Sequence, residues 1–331
     1  MNLIPFGRTQ LMVTPMGLGL AALGRPGYIN LGHADDLEQD YDVAAMEAHA
    51  HTVLDAAWAA GIRYFDAARS YGRAEQFLAG WLRSRAISPD AVVVGSKWGY
   101  TYTADWQVTA DKHEIKDHTL PVLRRQIAES RDHLGDYLKL YQIHSATLDS
   151  GVLDDRGVLE ELAKLRDEGL VIGLSLSGPG QAATLRRAVT IEIGGRPLFR
   201  AVQATWNLLT REAGAALVEA HEAGMGVIIK EALANGRLTE RNDDKAFAPQ
   251  RRLLAEVAAE AQTGLDGVSL AAVLAQPWVD VVLSGAARPE HLAANLKALD
   301  VEWRDRFDAR LAELVEPAEQ YWQTRSGLAW N

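Results

Sequence analysis

The chain has no cysteine among its 331 residues. Disulfide bonds, thiolate nucleophiles and cysteine-ligated zinc or iron–sulfur centres are therefore excluded. No metal site is expected from histidine either, because His49 and His51 have no third ligand at a useful spacing. The sequence also lacks an uninterrupted apolar run of the roughly 20 residues that span a bilayer. Its first residues lack the apolar core of a signal peptide, so we expect no membrane association and a cytoplasmic location.

An excess of positive charge is lacking as well. The chain has 34 Lys and Arg against 44 Asp and Glu, a formal net charge of −10. Nucleic-acid-binding surfaces are rich in cations, so nucleic acid is not an expected partner. Apolar residues make up 48% and charged residues 24%, which is typical of a globular protein with a sizeable core.

Two apolar spacings alternate along the chain. Short aliphatic or β-branched runs, as in residues 62–66, 91–97 and 226–230, are typical of buried strands. Segments with helical spacing follow them, as in residues 45–60 and 181–193. Eight such units without a linker predict one domain over residues 1–331, an α/β protein with a (β/α)₈ TIM barrel. An open doubly wound sheet is the alternative.

The segments at either end of the predicted barrel differ from these units. Residues 3–13 predict an N-terminal β-hairpin, and residues 302–331 predict a C-terminal extension of one helix followed by aromatic-rich coil. The loops over residues 24–42 and 98–118 are too long for plain connections. We expect both loops and the C-terminal tail to lie over the rim of the active site.

Three predicted strands end on ionisable residues, namely Asp66, Lys97 and His144. Tyr71 lies on the loop just after the first of them. Active sites of (β/α)₈ barrels lie at the C-terminal ends of the strands, so all four residues should meet at one mouth. Taken singly, each of these residues also has an ordinary structural interpretation as a cap, an ion-pair member or a packing group. Their combination at successive strand ends favours a site.

The four side chains suit the reduction of a carbonyl group. The developing alkoxide needs a proton, which a tyrosine donates, but a free phenol has a pKa near 10. A nearby ammonium lowers that pKa, and Lys97 is placed to supply one. Asp66 is expected to hold Lys97, and His144 to orient the substrate oxygen. Lys97 as a Schiff-base nucleophile of a lyase is an alternative use of the same residue.

Three motifs in this region resemble those of the aldo-keto reductase family. They are residues 65–72 with Glu75, residues 95–99 and residues 134–144, within a resemblance that extends over about residues 3–299. The resemblance implies a carbonyl–alcohol oxidoreductase with a hydride from NADPH or NADH. It also implies that Tyr71 is the acid–base, that Lys97 and Asp66 tune it, and that His144 orients the carbonyl.

The same resemblance implies a set of cofactor-binding positions, although Leu176 and Lys230 stand where the family usually has other residues. Arg288 is its best candidate for a 2′-phosphate, because a guanidinium suits that group, and so NADP(H) is favoured over NAD(H). The positions are Ser175 and Gln203 at the nicotinamide, Lys230 and Leu233 near the pyrophosphate, and Gly285, Arg288, His291 and Asn295 at the adenosine.

The expected substrate is a small aldehyde, ketone or sugar. Trp98, Tyr100 and Trp206 are candidates to line its pocket, and the alternative is that these aromatic residues anchor the surrounding loops. A nucleotide-sensing regulatory subunit with the same fold and little turnover is the alternative function. The sequence predicts no particular oligomeric state.

Overall fold

A computed structural model describes residues 1–331, and its centre is a closed barrel of eight parallel strands. Each strand pairs with the next one along the chain, and the last returns to the first. The (β/α)₈ prediction is therefore confirmed, and the open sheet is wrong. The barrel strands are β3 (Met16–Gly19), β4 (Tyr64–Asp66), β5 (Val93–Trp98), β8 (Leu138–Ala146), β9 (Val171–Leu176), β12 (Ala201–Thr205), β13 (Gly226–Lys230) and β14 (Val281–Ser284).

Helices cover the outside of the barrel, and local capping explains where several of them begin. Asp42 accepts hydrogen bonds from the amides of Ala44 and Ala45, and Asp155 accepts one from the amide of Val158. None of the helices is both long and apolar enough to cross a membrane. They are α1 (His33–Asp36), α2 (Val43–Ala59), α3 (Ala74–Ser84), α4 (Leu120–Leu134), α5 (Arg156–Asp167), α6 (Gln181–Val189), α7 (Gly214–Glu222), α8 (Ala248–Glu260), α9 (Leu265–Leu274), α10 (Pro289–Leu296), α11 (Asp305–Leu311) and α12 (Ala318–Ser326).

The predicted N-terminal hairpin closes the bottom of the barrel. Its strands β1 (Ile4–Pro5) and β2 (Met12–Val13) pair antiparallel just before the first barrel strand. Phe6 at its turn is fully buried, and its ring lies where a Cβ on Gly226 would come within 2.5 Å. A glycine at the start of β13 therefore makes room for the aromatic plug.

The structure corrects the sequence prediction in two segments, each of which contains a short hairpin. Residues 98–118 do not form a plain loop, because β6 (Tyr100–Tyr102) and β7 (Glu114–Lys116) pair as a hairpin. The helix predicted over residues 181–193 ends at Val189, and β10 (Glu192–Ile193) then pairs with β11 (Arg196–Pro197). Both glycines of that second hairpin turn, Gly194 and Gly195, have positive φ, which a helix does not allow.

The C-terminal extension is more helical than predicted. It contains α11 and α12 instead of one helix followed by coil. Tyr321 and Trp322 lie on α12 and are buried, because they pack into a satellite core beside the barrel. The Tyr321 hydroxyl also meets Asn207, whose Nδ2 donates to it at 2.9 Å. The irregular parts of the extension are short and lie before α11, between α11 and α12, and after Ser326.

Replacing Phe6 by alanine should destabilise the protein by about 3–5 kcal/mol, because the ring leaves a cavity that the rigid barrel bottom does not fill. Urea unfolding followed by circular dichroism measures the change. Met12→Ala in the same hairpin is the control, since Met12 is exposed and should change the free energy of unfolding by less than about 0.5 kcal/mol. Equal effects of the two substitutions would contradict the assigned plug.

Candidate active site

The structure brings Asp66, Tyr71, Lys97 and His144 together at the C-terminal mouth of the barrel. Lys97 Nζ contacts the Asp66 carboxylate, donates to the carbonyl of Ala67 at 2.9 Å and reaches the Tyr71 hydroxyl at 3.4 Å. The rings of Tyr71 and His144 meet edge to face, with their centroids 5.5 Å apart. These contacts join residues from three neighbouring strands and the loop after β4.

The buried ion pair of Lys97 and Asp66 is supported by further donors. Asp66 Oδ2 accepts from the Tyr64 hydroxyl at 3.1 Å, from Gln203 Nε2 at 2.9 Å and from Gln142 Nε2 at 3.4 Å. A buried carboxylate is costly unless such partners replace its hydration. The network therefore fixes the direction in which Lys97 points.

Burial decides the protonation of the two groups that face the cavity. Burial, reinforced by the charge of Asp66, raises the pKa of the Tyr71 phenol. The expected net lowering of this pKa is not found, because burial and the charge of Asp66, which engages the Lys97 ammonium, outweigh the effect of Lys97. Burial, with the charges of Lys97 and Lys230, holds the pKa of His144 well below its usual value. At neutral pH the site therefore presents a protonated phenol and a neutral imidazole.

The loop that carries Tyr71 is held by close backbone packing. A Cβ on Gly24 would lie 2.3 Å from the Tyr71 carbonyl oxygen, so only glycine fits there. Gly72 has a φ of 58°, a left-handed conformation that glycine adopts without strain. The amide of Arg73 donates to the carbonyl of Gly24 at 2.7 Å. The start of the 24–42 loop therefore presses directly on the tyrosine loop.

A cavity of about 410 Å³ extends from this cluster. Tyr71, His144 and Tyr100 line it at the mouth of the barrel. The loop over residues 24–42, the hairpin of β6 and β7 and the C-terminal tail all contribute lining residues, as expected for the two long loops and the tail. Its lining also includes six of the predicted cofactor positions, namely Gln203, Lys230, Leu233, Gly285, His291 and Asn295.

Five predicted positions do not line this cavity, and one of them is Lys97, which is fully buried beside Asp66 and Tyr71. Trp98 and Trp206 lie in the hydrophobic core, because side chains alternate along a strand and these two point outward while Lys97 points inward. Trp98 packs on His118 and Trp206 on Trp278.

The remaining two positions, Ser175 and Arg288, bind to other residues of the protein. Ser175 Oγ is buried and accepts from the Ser145 amide at 2.8 Å, and Arg288 pairs with Glu38 at 2.8 Å.

Several charged residues in the lining have no counterpart among the sequence predictions. They form three ion pairs, Arg25 with Glu114, Asp36 with Arg241, and Glu231 with Arg325. In each pair the two residues lie far apart in the sequence, on irregular segments, on the β6–β7 hairpin or on helices α1 and α12. The length of the surrounding loops was the only sequence feature that pointed to these charged residues, and loop length does not identify individual residues.

The carboxyl group of Glu231 has a lowered pKa. Burial raises its pKa, but the neighbouring charges of Arg325 and Lys230 outweigh burial and lower it to about 2. Arg325 Nη2 donates to it at 2.6 Å, so helix α12 is tied directly to the end of β13. Burial in turn lowers the pKa of Lys230, which donates to Thr205 Oγ1 at 2.7 Å.

The fold and the site define the class of this protein as a (β/α)₈ barrel with a buried Lys–Asp pair beside a tyrosine and a histidine at its mouth. Comparison with known proteins identifies the family within this class, because the model of the aldo/keto reductase family matches residues 15–316. The chain therefore belongs to the aldo/keto reductase family, whose members are oxidoreductases that use NAD(P)H and small carbonyl substrates.

Its relatives are distant. The pyridoxal 4-dehydrogenase of Microbacterium luteolum is 27% identical, with 91% of this chain and 94% of the relative covered. The D-threo-aldose 1-dehydrogenase of a Pseudomonas species is 26% identical, with 92% and 98% covered. The aldo-keto reductase AKR11C1 from Bacillus halodurans has the same fold, with a TM-score of 0.74 at 21% identity and 97% and 99% covered.

His118 supports the site from outside the cavity and should make its stability depend on pH. Its Nε2 donates to the carbonyl of His144 at 2.8 Å, and burial lowers its pKa to about 4. The unfolded chain, with a pKa near 6.5, binds more protons between these values. Stability is therefore complete above the unfolded pKa and falls as the pH falls toward 4.

Between pH 7.5 and pH 5, His118 should account for a loss of about 2 kcal/mol in the free energy of unfolding. His118→Gln keeps a donor and removes the titration, so the variant should lose about 2 kcal/mol less than wild type over the same interval. Urea unfolding at both pH values measures the difference. Parallel pH dependence of the two proteins would contradict the assignment.

Proposed function

We propose that this protein is an NAD(P)-dependent oxidoreductase that interconverts a carbonyl compound and its alcohol, with Tyr71 as the general acid and base. One observation carries the proposal: the Tyr71 hydroxyl faces the cavity beside Lys97 Nζ at 3.4 Å and edge-on to His144. The substrate would be an aldehyde, a ketone or a sugar. The dehydrogenase names of its relatives agree with this chemistry.

In the reduction, the nicotinamide supplies a hydride to the carbonyl carbon when the cofactor is bound. Tyr71 then donates its proton to the carbonyl oxygen, which takes the electron pair of the C=O π bond. Its raised pKa keeps that proton in place until negative charge develops on the oxygen. Lys97 stabilises the phenolate that remains, and the reverse sequence oxidises an alcohol.

His144 is suited to orient the carbonyl. Its Nδ1 lies 3.4 Å from Ser70 Oγ, and Tyr100 packs against its ring with centroids 4.9 Å apart. A neutral imidazole donates a hydrogen bond to the substrate oxygen without competing for the tyrosine proton. Tyr100 is the one predicted substrate-pocket residue that also lines the cavity.

The cavity suits an extended dinucleotide because one continuous space joins Tyr71 to Asn295. Gln203 would contact the nicotinamide, Lys230 and Leu233 would hold the middle of the cofactor, and Gly285, His291 and Asn295 would hold the adenosine end. Ser175 would contribute indirectly by positioning Ser145. Ser145 lines the cavity, and its backbone amide donates a hydrogen bond to Ser175 Oγ. Lys230 is the cation nearest the middle and would meet the pyrophosphate.

Tyr71→Phe should lower kcat by at least about 10³-fold, since the proton donor is removed, while leaving cofactor affinity within about twofold. Steady-state kinetics with a carbonyl panel measures turnover, and quenching of tryptophan fluorescence measures cofactor binding. Tyr137→Phe is the matched control, because its hydroxyl bonds the Ile87 carbonyl at 2.6 Å, outside the cavity lining.

A near-wild-type rate in Tyr71→Phe would mean that another group is the acid. Borohydride added with substrate separates the lyase alternative. The proposal expects no covalent adduct on Lys97, and an adduct there would replace the oxidoreductase mechanism with Schiff-base chemistry.

The proposed preference for NADP(H) depends on Arg288. Arg288 and Arg241 are the cations near His291, and each is paired with an acid, Glu38 and Asp36 respectively. A 2′-phosphate must therefore displace a carboxylate to reach either guanidinium, whereas NAD(H) needs no such exchange. The outer acid, Glu38, is exposed and the easier of the two to displace.

Glu38→Gln should tighten NADP⁺ binding by about two- to fivefold, the size of an exposed ion pair, and leave NAD⁺ binding unchanged. Fluorescence titration with both nucleotides measures the two dissociation constants. Asp90→Asn, which removes one exposed charge near the start of β5, is the control. Equal changes for both nucleotides would contradict a role for Arg288 at the 2′-phosphate.

A further inference from the structure

The cavity contains an ion pair that the reaction described above does not use. Arg25 Nη1 donates to Glu114 Oε2 at 3.0 Å and to the Ser70 carbonyl at 3.0 Å. Arg25 lies in the loop after β3 and Glu114 on β7, and both line the cavity next to Tyr71. The pair therefore stands where the remainder of a substrate would lie once its carbonyl meets Tyr71.

Aromatic rings hold this guanidinium in a fixed position. It lies 4.7 Å from the ring centroid of Trp330, 5.3 Å from that of Tyr71 and 5.4 Å from that of Tyr28. Trp330 is itself fixed, because it stacks on His113 at 3.9 Å with nearly parallel planes. The side chain of Arg25 is only 3% exposed, so its geometry is set before a ligand arrives.

Both partners keep polar atoms free of protein hydrogen bonds, and Arg25 keeps two, since its Nε is buried without a partner. Arg25 uses Nη1 for both of its contacts, and Nη2 makes none. Glu114 receives Arg25 through Oε2, and its Oε1 makes none, although the side chain is 24% exposed. A free donor and a free acceptor side by side match a hydroxyl group, which accepts one hydrogen bond and donates another.

The opposite charges of Arg25 and Glu114 disfavour a substrate that carries a carboxylate. A carboxylate on the substrate would be attracted by Arg25 and repelled by Glu114 at nearly the same distance. Nearby Glu231 is also anionic and is shared by Arg325 and Lys230, and the cofactor pyrophosphate proposed to meet Lys230 would take up the remaining positive charge. A carboxylate would thus lose its hydration without gaining an uncompensated cation. Neutral hydroxyl groups carry no such penalty.

We propose that Arg25 and Glu114 are specificity-determining residues that bind a hydroxyl group beside the reacting carbonyl, so that hydroxylated aldehydes and aldoses are preferred over carboxylated aldehydes. This inference rests on the proposed carbonyl–alcohol activity. Arg25 and Glu114 act by binding the substrate and take no part in the hydride or proton transfer.

The test compares three aldehydes of similar size, D-glyceraldehyde, butanal and succinic semialdehyde, by the absorbance of the reduced cofactor. Wild type should favour glyceraldehyde over butanal in kcat/KM. Glu114→Gln leaves Arg25 as an uncompensated cation, so the glyceraldehyde to succinic semialdehyde ratio should fall at least about tenfold, mainly through KM. Butanal should change by less than about twofold, because it uses neither polar atom.

Arg25→Lys is the second variant, because a lysine keeps the charge and loses the planar fork. It should weaken glyceraldehyde turnover and leave butanal nearly unchanged, whereas a purely structural role would lower all three substrates together. Glu161→Gln removes a carboxylate that pairs with Arg124 on the outer helices and is the matched control.

The outcomes separate this inference from the proposed function. If Glu114→Gln reduces butanal but keeps the wild-type ratios of kcat/KM among the three aldehydes, the hydroxyl-binding role is overturned and the proposed function is not. A wild-type preference for succinic semialdehyde would have the same consequence. Absence of turnover of every aldehyde with both NADPH and NADH would overturn the proposed function, and the inference with it.

Discussion

The ion pair of Lys97 with Asp66 is the contact on which the rest of the site depends. It joins the ends of two neighbouring barrel strands and is buried, so its charges have lost nearly all of their hydration. Tyr64, Gln142 and Gln203 replace part of that hydration from three further positions in the barrel. Closure of the barrel is what makes these donors converge, because an open sheet would leave β12 far from β4. The pair in turn fixes the ammonium that faces Tyr71.

Charge around the cavity is organised in matched pairs. Arg25 with Glu114, Asp36 with Arg241 and Glu231 with Arg325 each connect segments that are far apart in the chain. These pairs close the rim by joining the 24–42 loop, the β6–β7 hairpin and helix α12 to the barrel. An anionic group must therefore displace a carboxylate to reach one of these three guanidinium groups, whereas a ligand that brings dipoles need not. Lys230 is the exception, because it shares Glu231 with Arg325. The same rule governs the proposed substrate pocket and the adenosine end.

The agreement between sequence and structure is uneven for a physical reason. Asp66, Lys97 and His144 were predictable because strand ends are set by local apolar patterns and all parallel strands of a barrel point their C-terminal ends to one side. The pKa of Tyr71 was predicted in the wrong direction, since the sequence shows a lysine nearby but not that Asp66 engages it or how deeply the phenol is buried. Trp98 and Trp206 were misplaced because strand alternation turns them toward the helices. The β6–β7 hairpin was missed because its pairing partners are separated by a long irregular segment.

The sequence by itself therefore determined the eight-unit barrel, its closing hairpin, the family and the order of the four residues at the mouth. Short-range periodicity and motif spacing carry that information, and both are written in contiguous residues. Tertiary structure alone decided which charges meet across the cavity, which aromatic residues face it, and that Trp330 and Tyr71 both lie against Arg25. These outcomes depend on contacts between segments up to about three hundred residues apart, such as the hydrogen bonds of Asn331 with the amides of His33 and Ala34. No local pattern encodes such contacts, because each side chain there is chosen by its partner and not by its neighbours in the chain.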